Sequence, residues 1–349
     1  MALVLTLLAV SFLVAVTVQL GTSVNWQMQA AANQGDIVQL DAMLLSGLHL
    51  ARAALLADQQ ENDFDSGLDN WGEFEPDTLA AIFGNGSLEI KVTDLSGLLQ
   101  VNALVLTDER KTSLVGEKKA NNNGRPLSPA QINELVNAYK QDQRDLWKRF
   151  LLSGGFVGEE DEDAAAVLVD SLVDWLDKDD DEHENGAERG YYSSLEPSYV
   201  PANRPIFFSE ELLLVKGWNK KLLYGEKENS GIIDYLTITG QDGKININTA
   251  PALVLQSLNP EMTEELAAVL VDFRSEEENR DKLENQDWYH DVSGFTGTGI
   301  TFEKDMITTS SSYFQVTVTA RIDRLQRSGS GVIHRKENNE HELLSWKVE

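Results

Sequence analysis

The 349-residue sequence contains no cysteine, and basic residues are scarce: 29 Lys and Arg stand against 57 Asp and Glu, for a formal net charge of −28. Without cysteine the chain has no disulfide bond, no thiolate nucleophile and no cysteine-ligated zinc. The scarcity of Lys and Arg argues against a nucleic-acid-binding body, because such binding depends on basic side chains that neutralise phosphates. The acidic excess favours a cationic partner, either a divalent metal ion or a basic protein surface. The length suggests two or three domains.

Motifs of the common enzyme classes are also absent. None of the five histidines lies in a His-Glu-x-x-His zinc motif, and the nearest approach, at His341, has Ser345 in place of the second histidine. The sequence has no Gly-x-Ser-x-Gly motif, no P-loop and no dinucleotide-binding glycine motif in a strand-to-helix context. We therefore predict a protein without catalytic activity. A membrane-anchored, calcium-dependent hydrolase is an alternative for which we find neither nucleophile nor base.

No charged side chain precedes Asp36, and the segment Met1–Leu20 is apolar on all faces. About 20 residues at a rise of 1.5 Å span roughly 30 Å, the thickness of a bilayer core. A cleaved secretory signal would need a basic region before this segment and a small-residue cleavage site after it. We therefore predict that residues 1–25 form a membrane-spanning half-helix.

The helical pattern continues beyond the predicted membrane segment. No proline occurs between Gln27 and Leu56, and apolar residues recur there at spacings of three or four. This stripe predicts a single long helix whose second half is amphipathic, with glycines as points where it bends. The stripe consists of Ile37, Leu40, Leu44, Leu48, Ala51 and Leu55, and the glycines are Gly21, Gly35 and Gly47.

An acidic segment, Asp58–Asp77, follows the long helix and contains eight acids and no base. Its glycines and proline predict an irregular connection. Asp63, Asp65 and Asp69 form a loose copy of a calcium-loop pattern, but no glutamate closes it at the proper distance. We predict that these three side chains lie in a solvated loop.

The rest of the chain predicts an α+β fold in which a mostly helical domain is inserted between strands. Alternating apolar residues predict strands at Ser87–Val92, Tyr313–Ile322, Gly331–His334 and Leu343–Val348. Helical spacing predicts helices after Ser128, at Ala164–Leu176 and at Thr263–Arg274. The predicted units are residues 1–25 in the membrane, 26–106 with the amphipathic helix and first strands, 107–285 as the inserted α-domain, and 286–349 with the last strands.

The segment Asp174–Glu188 carries the strongest chemical signal. Counting Asp177 as position 1, Asp179, Asp181 and Glu188 occupy positions 3, 5 and 12 of an EF-hand loop. Position 6, where an EF-hand needs glycine, is an acidic residue, so we predict an oxygen-ligated calcium site with a different loop geometry. Asp174, one helical turn earlier, is a further candidate ligand. The alternative is a solvated acidic run without a metal ion.

The segment Lys244–Pro251 is similar to the helix-hairpin-helix units of DNA receptors. Those units grip a phosphate with a Gly-x-Gly turn, whereas this chain has Leu258–Met262 at that place, with no glycine and an acid instead. We interpret the hairpin as structural. It nevertheless suggests an alternative function, a membrane-anchored nucleic-acid receptor of the competence type.

Together these segments resemble the K-type minor pseudopilins of the bacterial type II secretion system. The apolar start has Leu5 where most pilins have glutamate, which is similar to K-type pseudopilins in particular. The central motif of the family corresponds to residues Asp174 to Asn203. The segment Lys244–Pro251 and the strand Ser312–Val316 follow it in the same order as in the family. The central motif also includes Gly186, Ala187, Glu188, Tyr191, Tyr192 and Tyr199.

The resemblance implies a pilin-like fold, with a long N-terminal helix on a small antiparallel sheet, interrupted by a calcium-binding α-domain. It implies a single-pass protein of the bacterial inner membrane whose body lies in the periplasm. It also implies partners. I- and J-type minor pseudopilins would join this chain in a tip complex that primes assembly and caps growth, and other pseudopilus and inner-membrane secretion components would contact it. Prepilin peptidase would process the chain and leave Met1 as an N-methylated first residue. The family's calcium role falls on Asp174, Asp177, Asp179, Asp181 and Glu188. It implies no nucleic-acid partner.

Overall fold

A single helix, α1 (Ala2–Glu61), forms the first sixth of the chain in the computed structural model. The structure describes residues 1–72, 74, 86–121, 124–158, 160–226, 229–336 and 340–349. The helix is continuous through all three glycines, so none of them ends it. It also reaches further than predicted, since Asp58 is helical and buried. Among the described residues, α1 is the one helix long and apolar enough to cross a membrane.

A four-stranded antiparallel sheet packs against the second half of α1. Its strands, in their order across the sheet, are β1 (Gly86–Asp94), β8 (Tyr313–Ile322), β9 (Leu325–Arg335) and β10 (His341–Val348). The strands predicted from alternation are confirmed, and the last two are longer than predicted. The alternate residues Ile90, Val316 and Val318 are buried, and they form one core with Leu44 and Leu48 of α1. Burying each such side chain contributes about 1.5–3 kcal/mol, which explains why the amphipathic stripe fixes the helix on the sheet.

Gly47 marks the closest approach of α1 to the sheet. A Cβ atom placed there would lie 2.5 Å from Cγ1 of Val318, a distance at which the packing must shift. The glycine is therefore kept for close helix–sheet contact and not for bending.

We expect Gly47→Val to lower the free energy of unfolding by about 1–3 kcal/mol, because it overpacks this contact. Gly35 is the control, since a Cβ built there meets no described atom within 4 Å apart from its own chain neighbours and the adjoining helix backbone. Gly35→Ala is expected to be neutral or stabilising by up to about 1 kcal/mol, through helix propensity alone. Urea unfolding followed by tryptophan fluorescence measures both. Equal effects of the two substitutions would contradict this account of Gly47.

The chain between β1 and β8 forms a second core made mainly of helices. The described helices are α2 (Asp108–Asn121), α3 (Pro129–Ser153), α4 (Glu162–Leu176), α5 (Arg189–Ser193), α6 (Lys220–Tyr224), α7 (Ala252–Ser257) and α8 (Glu264–Ser275). Short 3-10 turns lie at Val101–Leu104, Ser209–Leu214, Ile232–Tyr235, Glu277–Lys282 and Trp288–Asp291. Two-residue strands pair β2 (Leu99–Gln100) with β5 (Leu236–Thr237), β3 (Gly225–Glu226) with β4 (Asn229–Ser230), and β6 (Ile245–Asn246) with β7 (Ile307–Thr308).

The three helices predicted within this unit are confirmed. Ser128 starts α3 with a reciprocal cap, in which its hydroxyl accepts from the amide of Gln131 and Gln131 Oε1 accepts from the amide of Ser128 at 2.9 Å. The core of the unit includes Leu99, Val101 and Leu104 as well as Trp288 and Ile307. It therefore extends beyond both predicted limits of the insertion, 107 and 285.

The prediction of a solvated acidic loop after α1 is wrong for two of its three aspartates. Asp63 is exposed, but Asp65 is 0% and Asp69 2% exposed. Asp65 pairs with Arg335 at the end of β9, and Asp69 pairs with Arg280 at 2.9 Å. Nothing in the sequence indicated this burial, because both arginines lie more than two hundred residues further along the chain. Residues 73 and 75–77 of the predicted connection lie outside the described residues.

Most of the segment Lys244–Pro251 is buried, and it lies beside Asp65 and Asp94. The side-chain amide of Asn246 donates to the carbonyl oxygen of Asp65 at 3.1 Å and to a carboxylate oxygen of Asp94 at 3.0 Å. Asn248 accepts from the indole of Trp288 at 2.8 Å. These contacts support the structural interpretation of the motif, since its polar side chains are engaged within the chain.

Candidate metal centre

The predicted calcium residues lie where α4 ends and the next segment begins. Asp174 is in the last turn of α4, and Asp177 follows the helix in an extended conformation. The loop returns at Glu188, which immediately precedes α5. Helix α4 is thus followed by an acidic loop, as predicted, and both ends of the loop are anchored on helices.

The loop folds around the side chain of Asp174. Its carboxylate is 0% exposed and accepts hydrogen bonds from the amide of Ala187 at 2.7 Å and from Nδ1 of His183 at 2.5 Å. A Cβ atom on Gly186 would lie 1.9 Å from Asp174 Oδ2, so the loop wraps this carboxylate at a point where only glycine fits.

Four oxygen atoms of this loop and of Asn203, which contacts it, are buried and have no hydrogen-bond donor among the described residues. They are both carboxylate oxygens of Glu188, Oδ1 of Asp177 and Oδ1 of Asn203. Glu188 is only 3% exposed. Buried polar atoms without partners are costly, and a bound cation would satisfy all of those that face it. This donor set, carboxylate and amide oxygens, is the one that calcium prefers.

The pKa values of these carboxylates also favour a cation site. Burial, and then the charges of Asp174 and Asp177, raise the pKa of Glu188 to about 7. Burial, and then Asp179 and Asp174, raise the pKa of Asp177 to about 6. The negative charges of this cluster are therefore not compensated by the chain itself.

The structure brings only some of the predicted ligands together. Asp174, Asp177 and Glu188 lie together, and Asp179 is close enough to Asp177 to raise its pKa. Asp179 and Asp181 are both exposed, and Asp179 accepts the amide of Asp181 at 3.0 Å. The side chain of Asp181 is thus not among the groups that the structure gathers.

Two further residues contact the predicted ligands and were not themselves predicted as ligands. His183 groups with Asp174 and Asp177, with one potential ligand atom from each lying within 4.8 Å of the others. Asn203 arrives from a later segment in a left-handed conformation, φ +45°, and its side-chain amide donates to the carbonyl of Asp179 at 2.9 Å. The family motif contains Asn203 but suggests no role for it, and EF-hand spacing does not include His183.

A second set of contacts holds the loop from outside. Asp170, one turn before Asp174, pairs with Arg144 of α3 and accepts from the side chain of Asn185 at 3.1 Å. Nζ of Lys216 donates to the carbonyl oxygens of Asn185 at 3.3 Å and of Gly186 at 2.7 Å. The loop is therefore positioned by neighbouring helices and segments, as expected for a preorganised metal site.

The raised pKa values predict how stability without a cation depends on pH. Because the pKa of Glu188 is about 7 in the folded chain and 4.5 in its unperturbed state, the metal-free protein loses stability as the pH rises through this window. Calcium affinity is expected to increase over the same window, because binding requires deprotonated ligands. Thermal unfolding of metal-stripped protein, compared with its Glu188→Gln variant, measures the first effect. Parallel pH profiles for the two proteins would contradict it.

Comparison with known proteins gives independent support. Two family models described as "Type II secretion system (T2SS), protein K" match residues 97–224 and 245–295. A curated protein of Escherichia coli (strain K12), named "Putative type II secretion system protein K", is 25% identical over 218 residues, which are 62% of this chain and 57% of that protein. This chain therefore matches a little over half the length of that relative.

A solved structure shows the same fold. It is "The Crystal Structure of the GspK-GspI-GspJ complex from enterotoxigenic Escherichia coli Type 2 Secretion System", and it matches with a TM-score of 0.59 and 15% identity, covering 91% of this chain and 99% of the matched chain. The pilin-like fold with an inserted helical unit, expected from the resemblance, is thereby confirmed. Because the two family models describe one family and together match just over half of the sequence, the chain belongs to the type II secretion system protein K family.

Proposed function

We propose that this chain is a non-enzymatic minor pseudopilin of a type II secretion system and stands at the tip of the pseudopilus with I- and J-type pseudopilins. In this proposal α1 anchors the chain in the bacterial inner membrane and the body lies in the periplasm. The observation that carries the proposal is the position of the insertion at the far end of α1 from the membrane segment. Family membership supports the role, and the partners are supported by the matched chain, which belongs to a complex of GspK with GspI and GspJ.

The insertion leaves and re-enters the sheet beside the C-terminal end of α1. Asp94, the last residue of β1, pairs in register with Phe314 near the start of β8. The amide of Asp65, just after α1, donates to the carbonyl of Thr309 at 2.8 Å. A helix of 60 residues is about 90 Å long at 1.5 Å per residue, so the bulky unit is far from the membrane. There it would block the space that a further subunit above would need, which is the reason for proposing a capping role.

The part of α1 between the membrane segment and the sheet exposes large apolar side chains that are suited to partner helices. Beyond the membrane segment, Trp26 is 74%, Met28 68% and Val38 61% exposed. Large apolar side chains exposed along one helix mark an interaction surface. Neighbouring pseudopilin helices in a bundle would cover them.

Reconstitution with the partners tests this function. Full-length chain in detergent is mixed with full-length I- and J-type pseudopilins of the same bacterium, and the mass of the complex is measured by size-exclusion chromatography with light scattering. We expect a stable ternary complex that Val38→Glu weakens. Val269→Glu, the same change on the exposed surface of α8, is the control. Failure of well-folded I and J proteins to bind this chain would overturn the proposal.

We further propose that the centre at Asp174, Asp177, Asp179 and Glu188 holds calcium, with Asn203 as an additional oxygen ligand. The unpartnered oxygens of Glu188, Asp177 and Asn203 support this. When bound, the ion neutralises the charge of the cluster. The side chains of this chain fix its position, since Asp174 orients the loop through His183 and Ala187. The role of the ion is structural: it stabilises the insertion that defines the tip.

A further inference from the structure

A second group of acids lies buried at the joint between α1, the sheet and the insertion. Asp58 belongs to the last turn of α1, and Asp65 and Asp69 follow in the connection to β1. Their exposed fractions are 3%, 0% and 2%. Each carboxylate offers an oxygen atom, and these atoms lie within 4.8 Å of one another. None of the three takes part in the centre at Glu188.

The positive charges at this joint do not balance the carboxylates. Arg335 contacts both Asp58, at 3.2 Å, and Asp65, and Arg280 contacts Asp69 at 2.9 Å. The other donors to Asp65 and Asp69 are neutral backbone amides, of Ser311 and Ser66. Three carboxylates therefore face two guanidinium groups, and the charge of a fourth buried acid, Asp94, also raises the pKa of Asp65, so negative charge is in excess at this buried place.

One oxygen atom marks where a ligand would sit. Oδ1 of Asp65 is buried and has no hydrogen-bond donor among the residues that the structure describes. The carboxyl groups of Asp58 and Asp65 are also within hydrogen-bonding reach of each other. Two buried carboxyl groups in contact require a cation or a proton between them.

We propose that Asp58, Asp65 and Asp69 form a second site for a hard divalent cation of the calcium class, independent of the centre at Glu188. Oxygen ligands at 2.3–2.6 Å from a calcium ion lie at most about 5 Å apart across it, so the separation within the cluster suits such an ion. The ion would connect the end of α1 to β9 through Arg335 and to the insertion through Arg280. It would thereby hold the insertion in a fixed orientation on the helix–sheet unit.

The competing explanation is a proton shared by Asp58 and Asp65. Burial raises the pKa of Asp65 to about 8, so at neutral pH a proton occupies this pair whenever no cation does. A single shared proton neutralises one charge and lies between two of the carboxylates, whereas a divalent ion can contact all three and also offset the charge of Asp94, which acts on Asp65. The two explanations differ in whether the chain takes up a metal ion here.

Equilibrium dialysis against calcium, with metal analysis of full-length protein in detergent, tests the site. The first centre is removed with Asp177→Asn and Glu188→Gln, and we expect this double variant to retain bound calcium. Adding Asp65→Asn should remove the remaining ion or weaken its affinity by about tenfold or more. Adding Asp63→Asn, an exposed acid two residues away, should change nothing.

Two results would contradict the second site. A folded double variant that binds no calcium, or one whose remaining calcium is unaffected by Asp65→Asn, would overturn the proposal and favour the shared proton. If Asp65→Asn does not fold, Asp69→Asn is the second variant, with the same expected loss of the ion. Binding of the partners is not needed for any of these readings, so they do not depend on the tip function.

Discussion

Replacing Arg335 with methionine is expected to destabilise the folded chain by about 3–5 kcal/mol, the largest effect that we predict for a single substitution. The reason is that Arg335 is buried, at 8% exposure, and its guanidinium contacts two buried carboxylates, Asp58 and Asp65. It also donates to the carbonyl oxygen of Ser311 at 2.8 Å. Methionine keeps much of the apolar volume but leaves both acids without their counter-ion. Urea unfolding of metal-stripped protein measures the loss.

An exposed arginine of the same sheet provides the control. Arg321 lies on β8, and its guanidinium is 4.0 Å from Glu89, with both side chains largely exposed. Surface ion pairs of this kind contribute about 0–1 kcal/mol, so Arg321→Met should have little effect. Combining Arg335→Met with Asp65→Asn should cost less than Arg335→Met alone, because one of the orphaned charges is removed. A double variant that is less stable than the single one would show that the arginine acts through packing.

Removal of calcium is expected to lower the thermal unfolding midpoint of the wild-type insertion by about 5–10 °C. A ligand present at about a hundredfold excess over its dissociation constant stabilises the folded state by about 2.7 kcal/mol, and each kcal/mol shifts the midpoint of a unit of this size by about 2–4 °C. Calorimetry with calcium and with a chelator measures the shift. No shift in folded protein would contradict a calcium site at Glu188.

Glu188→Gln should reverse the order of stabilities. With calcium present the variant is less stable than wild type, because it lacks a ligand. Without calcium it is more stable than wild type at pH 8, because it no longer buries an unpartnered carboxylate whose pKa is raised to about 7. Glu182→Gln, an exposed neighbour in the same loop, should behave as wild type. Any calcium-dependent shift that remains when Asp177→Asn is combined with Glu188→Gln reports the second site and should disappear with Asp65→Asn.

The EF-hand spacing predicted the acidic loop at the end of α4 but not which of its carboxylates come together. Asp177 and Glu188, at the two ends of the predicted loop, are close enough to the buried Asp174 for its charge to raise the pKa of both, whereas Asp181 is exposed. Position 6 of the predicted loop is Glu182, so the chain cannot make the sharp glycine turn on which the EF-hand register depends. The loop instead folds around the carboxylate of Asp174, with Gly186 at the close contact. A linear spacing rule does not describe such a path.

Features that depend on near neighbours were predictable from the amino-acid sequence alone. The long helix, the alternating strands and the cap at Ser128 follow from spacing within a few residues, because side-chain periodicity dictates which face is buried. The acidic loop at the end of α4 and the absence of common catalytic motifs were also visible there. The resemblance to the secretion-system family rested on the order of such local segments.

Which charges meet is determined by tertiary folding. Arg335 reaches Asp65 across 270 residues and Arg280 reaches Asp69 across 211, and such separations leave no periodic trace in a sequence. The same holds for Asn203, whose side chain reaches the carbonyl of Asp179 in the acidic loop from a later segment. A solvated and a buried acidic residue look alike in the sequence, because their surroundings are contributed by segments that only folding brings together. For this reason the sequence predicts a solvated Asp65, whereas in the folded chain Asp65 is buried against Arg335, where α1, the sheet and the insertion meet.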